Sequence, residues 1–276
     1  VLNVLREIKP DYIYNLAAQS FVADSFIHPH LTSDINYFGV LNLLEAIRIN
    51  KMDVNFYQAS TSEMYGRALS KIQDEKTPFN PVSPYAISKL ASHFLVKNYR
   101  DAYNLNASTG ILFNHESELR GTEFVTRKIS LWISQIKKGI WSSLPLGSLN
   151  SQRDWGYAPE YVKAMQLITE DSRQDDYVVA TNTQSSVRQF LEWCCNALDY
   201  NVEFIGKDIN EKCIDKKTGK TLAHVDPIYY RATDVNSLQG NYSKISQILE
   251  WSPKIFAKEI AKIMTDYDYQ NEWKSS

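Results

Sequence analysis

Glycine is scarce and scattered in this chain. Its ten glycines (Gly39, Gly66, Gly110, Gly121, Gly139, Gly147, Gly156, Gly206, Gly219 and Gly240) are all far apart. No G-x-G-x-x-G turn or phosphate loop can be assembled from them. Cysteine is rarer still: Cys194 and Cys195 are adjacent and Cys213 is remote. That spacing excludes a disulfide framework and a zinc ribbon, so the thiols read as reduced, as in a cytoplasmic protein, and no metal site is expected. No apolar run approaches the length of a membrane span, and nothing at the start has the layout of a signal peptide. A net charge of −2 gives no electrostatic reason to expect nucleic acid or an anionic membrane as partner. An initiating methionine is also lacking. "VLNVLREIKP" reads as the tail of a helix already under way, so a fragment is expected.

What is present is ordinary globular material: 276 residues, 43% hydrophobic and 22% charged. The first half alternates short apolar runs with helical patterns. "DYIYNLAAQS" reads as a buried strand entering a loop, and "VNFYQASTS" and "NASTGILFN" repeat that design. "INYFGVLNLLEAIRIN" places Ile35, Phe38, Leu41, Leu44 and Ile47 on one helical face. A helix from Tyr85 to Tyr103 is announced by Pro84. This rhythm predicts a parallel sheet covered by helices on both faces, with ligands beyond the carboxyl ends of the strands. Polar runs collect there: "AAQS", "STSE" and "NHES" each follow an apolar run directly.

The second half is less regular. "FVTRKISLWISQIKKG", "PEYVKAMQLITED" and "FAKEIAKIMTDYD" read as helices, "DYVVAT" as a strand, and "SSVRQFLEWCCNAL" as a helix capped by Ser185 or Ser186. Residues 210–239 read as loop with little periodicity. The expected organisation is one α/β domain carrying an interleaved lobe, mainly residues 114–155 and 182–276.

Tyr85 and Lys89, four apart, share a helical face. Chance alone gives roughly two Tyr-to-cation pairs at that spacing in a chain with 17 Tyr and 30 Lys plus Arg. An ammonium beside a phenol favours phenolate, so such a tyrosine can take a proton from an alcohol while hydride leaves the same carbon for a nicotinamide. Thr61 can hold that hydroxyl in line. Glu63 adds a carboxylate base two residues on. The plainer alternatives are a packed tyrosine with a solvated lysine, and a solvated loop carboxylate.

The joint pattern S-T-S-E-M-Y-G, Y-x-x-x-K and L-F-N-H-E-S resembles the extended short-chain dehydrogenase/reductase family that modifies nucleotide sugars. Within it the chain is similar to the GDP-mannose 4,6-dehydratases through "YNLAAQS", "FYQASTSEMYG", "SPYAISKL", "GILFNHES", "RGTEFVTRKI", "RDWG", "SVRQF", "VDPIYYRATDV" and "LEWSP". The resemblance implies a Rossmann-like α/β sheet, truncated at its N-terminal side, with a smaller C-terminal substrate-binding lobe. It implies an enzyme that dehydrates GDP-mannose to GDP-4-keto-6-deoxymannose, with NADP regenerated in each turn and GDP-fucose or a related deoxysugar downstream. By the same matching, Thr61, Glu63, Tyr85 and Lys89 are catalytic. Leu16, Ala17, Ala18, Gln19, Ser20, Tyr85, Lys89, His115 and Arg120 face the cofactor, with Ala17 standing where the family usually has glycine. Ser62, Asn114, Arg153, Arg188, Arg231 and Asp234 face the substrate, with Ala232 where the family has proline.

The family's glycine-rich first strand and turn, which hold the cofactor pyrophosphate, have no counterpart here. The expectation is that these residues alone bind NADP poorly and turn over little, whereas a full-length parent, a dimer or tetramer, does both. Two rivals remain at this point. One is a non-catalytic nucleotide-sugar-binding remnant. The other is a related epimerase or dehydratase, although the dTDP-glucose type carries an acidic pair after the threonine, where Ser62 intervenes here.

Overall fold

The computed structural model describes residues 1–229 and 237–271. In chain order these residues form α1 (Leu2–Ile8), β1 (Tyr12–Asn15), α2 (Val22–Ile27), α3 (Pro29–Ser33), α4 (Gly39–Ile49), β2 (Asn55–Thr61), α5 (Pro84–Tyr103), β3 (Ala107–Leu112) and β4 (Asn114–Glu116). There follow α6 (Val125–Lys137), β5 (Leu144–Leu146), β6 (Gln152–Arg153), β7 (Trp155–Tyr157), α7 (Ala158–Glu170), β8 (Asp176–Val179) and β9 (Ser185–Ser186). The last are α8 (Val187–Ala197), β10 (Val202–Ile205), β11 (Lys212–Asp215), β12 (Thr221–Val225), β13 (Ser237–Leu238), α9 (Ser243–Leu249) and α10 (Ala257–Gln270). Two compact units are distinguishable among the described residues: 1–113, 161–182 and 240–252 form one, and 114–160, 183–229, 237–239 and 253–271 form the other.

In the first unit, β1-β2-β3-β8 make an all-parallel sheet. Parallel strands bury both faces, and successive side chains show it. Phe56 packs with Val40, Leu44, Ile47, Val96 and Tyr99, a core built with α4 and α5. Its neighbour Tyr57 packs instead with Tyr161, Ala164, Ile168, Tyr177 and Trp251, a core built with α7 and α9. β1 departs from the sequence reading: it is an edge strand whose Tyr12 and Tyr14 are exposed. At the opposite edge, the backbone N–H of Val178 on β8 donates to the Glu75 carboxylate at 2.7 Å.

The helical face expected through Ile35 and Ile47 is also broken. Residues Asp34–Phe38 form a π-helical turn, which inserts one extra residue and rotates everything before it relative to α4. Leu44 and Ile47 are therefore buried, while Ile35 and Phe38 are exposed.

In the second unit, α6, α8 and α10 pack together around Ile129, Ile133, Phe190, Leu191, Ile260 and Met264. Ser186 caps α8 in a capping box with Gln189, one of the two caps the sequence offered. The stretch expected to be loop contains a hairpin, β11–β12, inside the mixed sheet β10-β11-β12-β5. Its turn uses Gly219 at φ 71°, and the Thr218 hydroxyl donates to Asp215 at 2.6 Å. All three cysteines are free and buried. Among the described residues, no helix is long and apolar enough to cross a membrane.

Candidate active site

β2 delivers Thr61 to the carboxyl edge of the parallel sheet, where the chain turns at once into a 3₁₀ helix, Ser62–Tyr65. The Thr61 hydroxyl caps that turn by accepting the Glu63 backbone N–H at 3.3 Å. Ser62, Met64 and Tyr65 are buried, so Glu63 is the member of the turn with an accessible side chain. Gly66 ends the turn at φ 50°, and any Cβ there would sit 1.9 Å from the Asn80 carbonyl oxygen. Only glycine permits that approach. The closing loop is fastened by Asn80 N–H donating to the Met64 carbonyl at 3.1 Å.

Ser83 then caps α5, its hydroxyl accepting from Ala86 N–H at 3.1 Å, with Pro84 in the first turn. This start puts Tyr85 in the first turn and Lys89 directly beneath it. Tyr85 is 8% exposed and Lys89 3%. Burial alone pulls the Lys89 ammonium down to about 8, with no carboxylate offsetting it. A buried ammonium in such surroundings suits the hydroxyl groups of a bound sugar or ribose. α5 packs against the 3₁₀ turn, so the helix of Tyr85 and Lys89 and the turn of Thr61 and Glu63 are neighbours in one unit.

The segment Leu16–Ser20 follows β1 at the same edge of the sheet. Leu16, Ala17 and Ser20 are exposed, while Ala18 and Gln19 are half-buried. Its anchor is a residue that sequence reasoning missed. Asn36, buried in the π-helical turn, accepts from Gln19 N–H at 2.9 Å and donates to the Gln19 carbonyl at 3.1 Å and to Ser88 Oγ on α5 at 3.1 Å. One amide thus ties the Leu16–Ser20 segment to the helix of Tyr85 and Lys89. Ser92 reinforces it by donating to the Asn36 carbonyl.

The second unit holds a cavity of about 320 Å³ whose lining includes Asn114, Glu116, Lys128, Arg153, Trp155 and Tyr229. Asn114 and Arg153 were expected at the substrate; Glu116 and Lys128 were assigned no role, although "NHES" and "VTRKI" contain them. Glu116 is fully buried, and burial raises its carboxyl despite Arg120 at 3.3 Å and the donating Thr126 hydroxyl at 2.5 Å. Lys128 donates to the Pro145 carbonyl at 2.8 Å and lies 4.1 Å from the Tyr229 ring centre.

The remaining predicted residues are placed differently. Arg188 does not line that cavity; it grips Glu211 at 2.6–2.9 Å and Asn150 at 2.8 Å. Arg120 stacks on Phe124 at 3.7 Å while pairing with Glu116. His115 sits on β4, partly buried and paired in register with Gly156. Arg231 and Asp234 lie outside the described residues. Among the described residues, no group of three or more His, Cys, Asp or Glu is placed to hold a metal ion.

Known proteins agree with this layout at two levels. The chain superimposes on RMD from Pseudomonas aeruginosa, solved with NADPH, with a TM-score of 0.83 and 20% identity over 98% of this chain and 86% of that one. A UDP-glucose 4-epimerase from Thermotoga maritima gives 0.79 at 22% identity, over 96% and 81%. These likenesses establish a Rossmann-like α/β fold. Sequence is more discriminating. A GDP-mannose 4,6-dehydratase of Sinorhizobium fredii is 46% identical over 97% of this chain and 77% of its own length. The human GDP-mannose 4,6 dehydratase is 43% identical over 98% and 73%. The sequence profile described as GDP-mannose 4,6 dehydratase matches residues 1–264. With a threonine-capped turn that carries Glu63 and packs on the helix of Tyr85 and Lys89, the chain belongs to the GDP-mannose 4,6-dehydratase family.

Proposed function

We propose that this chain converts GDP-mannose to GDP-4-keto-6-deoxymannose, using NADP catalytically. The observation that carries the reading is the packing of the Glu63 turn on the helix bearing Tyr85 and Lys89, in a chain of this family. The nicotinamide, when bound, supplies the chemistry no side chain has, accepting a hydride from one carbon and returning it to another. Leu16–Ser20, Tyr85 and Lys89 are the residues of the first unit assigned to hold it. The uncompensated Lys89 ammonium supports that assignment.

The rest falls to the chain itself. Thr61 orients the C4 hydroxyl, and Tyr85, biased toward phenolate by Lys89, removes its proton. Once C4 is a ketone the C5 proton is acidic, and Glu63 takes it. Glu63 then hands that proton to the departing C6 hydroxyl, which leaves as water. The proton held by Tyr85 is the one left over for C5, so atoms balance and the net reaction is loss of water. In the second unit, Asn114 and Arg153 are assigned to the nucleotide diphosphate, where a guanidinium fork suits paired oxygens.

The test uses the full-length protein in deuterated water with GDP-mannose. Tyr85→Phe is expected to abolish oxidation at C4 and, with it, every later step. Glu63→Gln is expected to permit oxidation while blocking deuterium entry at C5 and water loss. Identical early blocks in both variants would show that Glu63 has been given the wrong role.

Two further assignments go with this reading. A homo-oligomer would cover the exposed Phe26, Ile27, Leu31, Ile87 and Phe94 of α2, α3 and α5. Sedimentation at monomer mass would refute it. Three buried, unbridged cysteines suit the reducing cytoplasm.

A further inference from the structure

α5 does not end its functional face at Lys89. His93 lies one turn further along the same face, 4% exposed, and reaches back to the sheet. Its Nδ1 is 3.1 Å from Ser60 Oγ on β2 and 3.2 Å from Thr109 Oγ1 on β3. The proton positions follow from the partners. Thr109 has one hydroxyl proton, and it goes to Asp176 Oδ1 at 2.9 Å. Asp176 itself is gripped by both guanidinium ends of Arg100, at 3.0 and 3.1 Å, and can only accept. Thr109 therefore has no proton to give His93. The contact is a hydrogen bond only if Nδ1 carries the hydrogen, which Thr109 and Ser60 then share as acceptors. Burial, with Arg100 and Lys97 nearby, keeps the imidazole neutral by lowering its affinity for a second proton, against the pull of Asp176.

The consequence lies at Ser60. It is the residue before Thr61, so the imidazole bonds the last turn of β2 to the very helix that bears Tyr85 and Lys89. Arg100, also on α5, anchors the far end of the same chain of bonds through Asp176 on β8. Resting on the function proposed above, we propose that His93 is a positioning residue for the dehydration. By fixing the β2 end to α5, it sets the spacing between Thr61 and Glu63 on one element and Tyr85 and Lys89 on the other.

A second observation makes this testable by chemical rescue. His93 also lines a cavity of about 630 Å³ in the first unit, together with Phe79, Phe94, Glu75, Lys97 and Lys244. Free imidazole can therefore reach the hole left by His93→Ala, whereas His93→Phe fills it. In the full-length protein, His93→Ala is expected to lower kcat about ten- to hundredfold, the range for a misplacement of ångström size, with KM unchanged. Added imidazole should restore kcat saturably in His93→Ala and not in His93→Phe. His93→Asn, whose amide N–H can replace Nδ1–H, should retain most of kcat. A substrate-independent arm reads the geometry directly: hydrogen exchange over residues 60–66 should quicken in His93→Ala and slow again with imidazole. Unchanged kcat in His93→Ala, a rise in KM instead, or imidazole restoring stability without kcat would each overturn the proposal. Failure of the wild type to convert GDP-mannose would sink the function instead, and the exchange arm would still judge His93. Should His93→Ala not fold, the contrast between His93→Asn and His93→Phe decides the same question.

Discussion

Replacing Lys89 by methionine removes a charge from a place that resists it. Burial brings the ammonium from 10.5 to about 8. An unfolded chain keeps that proton until about pH 10.4, so between the two values the unfolded state binds more protons and stability rises with pH. Below pH 8 the full penalty of the buried charge is present; it fades as the pH climbs toward the unfolded value. At about 1.4 kcal/mol per pKa unit, the penalty is roughly 3 kcal/mol at pH 7 and roughly 2 kcal/mol at pH 9. Methionine matches lysine in length and is comfortable in an apolar setting. The ligand-free Lys89→Met variant should therefore be more stable than wild type in urea, by the larger margin at pH 7 and the smaller at pH 9. It should also lose activity tenfold or more, because a nearby cation lowers a phenol's pKa by about 1–3 units. A variant no more stable at pH 7, or with the same gain at both pH values, would mean that the ammonium is not held in a desolvated site.

Gly110→Ala would place a methyl 2.1 Å from Tyr57 Oη, a clash expected to cost about 1–3 kcal/mol in urea unfolding. The Tyr57 hydroxyl is buried without a partner among the described residues, so Tyr57→Phe should be neutral or stabilising and should partly rescue Gly110→Ala, the ring carbon remaining 3.0 Å from the new methyl. Ser186→Ala should cost about 1 kcal/mol by removing the α8 cap, with Ser186→Thr retaining most of it. Burial opposes ionisation of Asp176, yet hydrogen bonds from Arg100 and Thr109 and the Arg100 charge outweigh it and hold its carboxyl below the usual value. Its stabilisation is complete above about pH 3.9 and lost as pH falls through the lower folded value, so Asp176→Asn should weaken the protein at pH 7 and flatten its acid unfolding curve.

Much of the first unit was legible because its signals are local. Pro84 announces α5, the four-residue step from Tyr85 to Lys89 needs only helical geometry, and β2, β3 and β8 are apolar runs ending in polar residues. What escaped depends on contacts between distant residues. No composition marks the π-helical turn that moves Ile35 and Phe38 outward and Asn36 inward. The β11–β12 hairpin was hidden because Leu222 and Ala223 are both buried, which breaks the alternation of a half-buried strand, and because lysines crowd its turn. The sequence offers Arg188 as an anion ligand, but its pairing with Glu211, 23 residues away in sequence, is visible only in the fold. Glu116 and Lys128 stood inside recognised motifs, but only the fold puts both on one cavity.

The carboxylate of Glu75 sits where an additional strand would have to dock. By taking the Val178 N–H, it occupies a ladder position that β8 would otherwise offer to any passing extended peptide. Sheet growth on that flank is opposed by this carboxylate together with the Lys244 ammonium, which takes the Asp176 carbonyl of β8 at 2.8 Å, so that Glu75→Ala would free one ladder position of the edge.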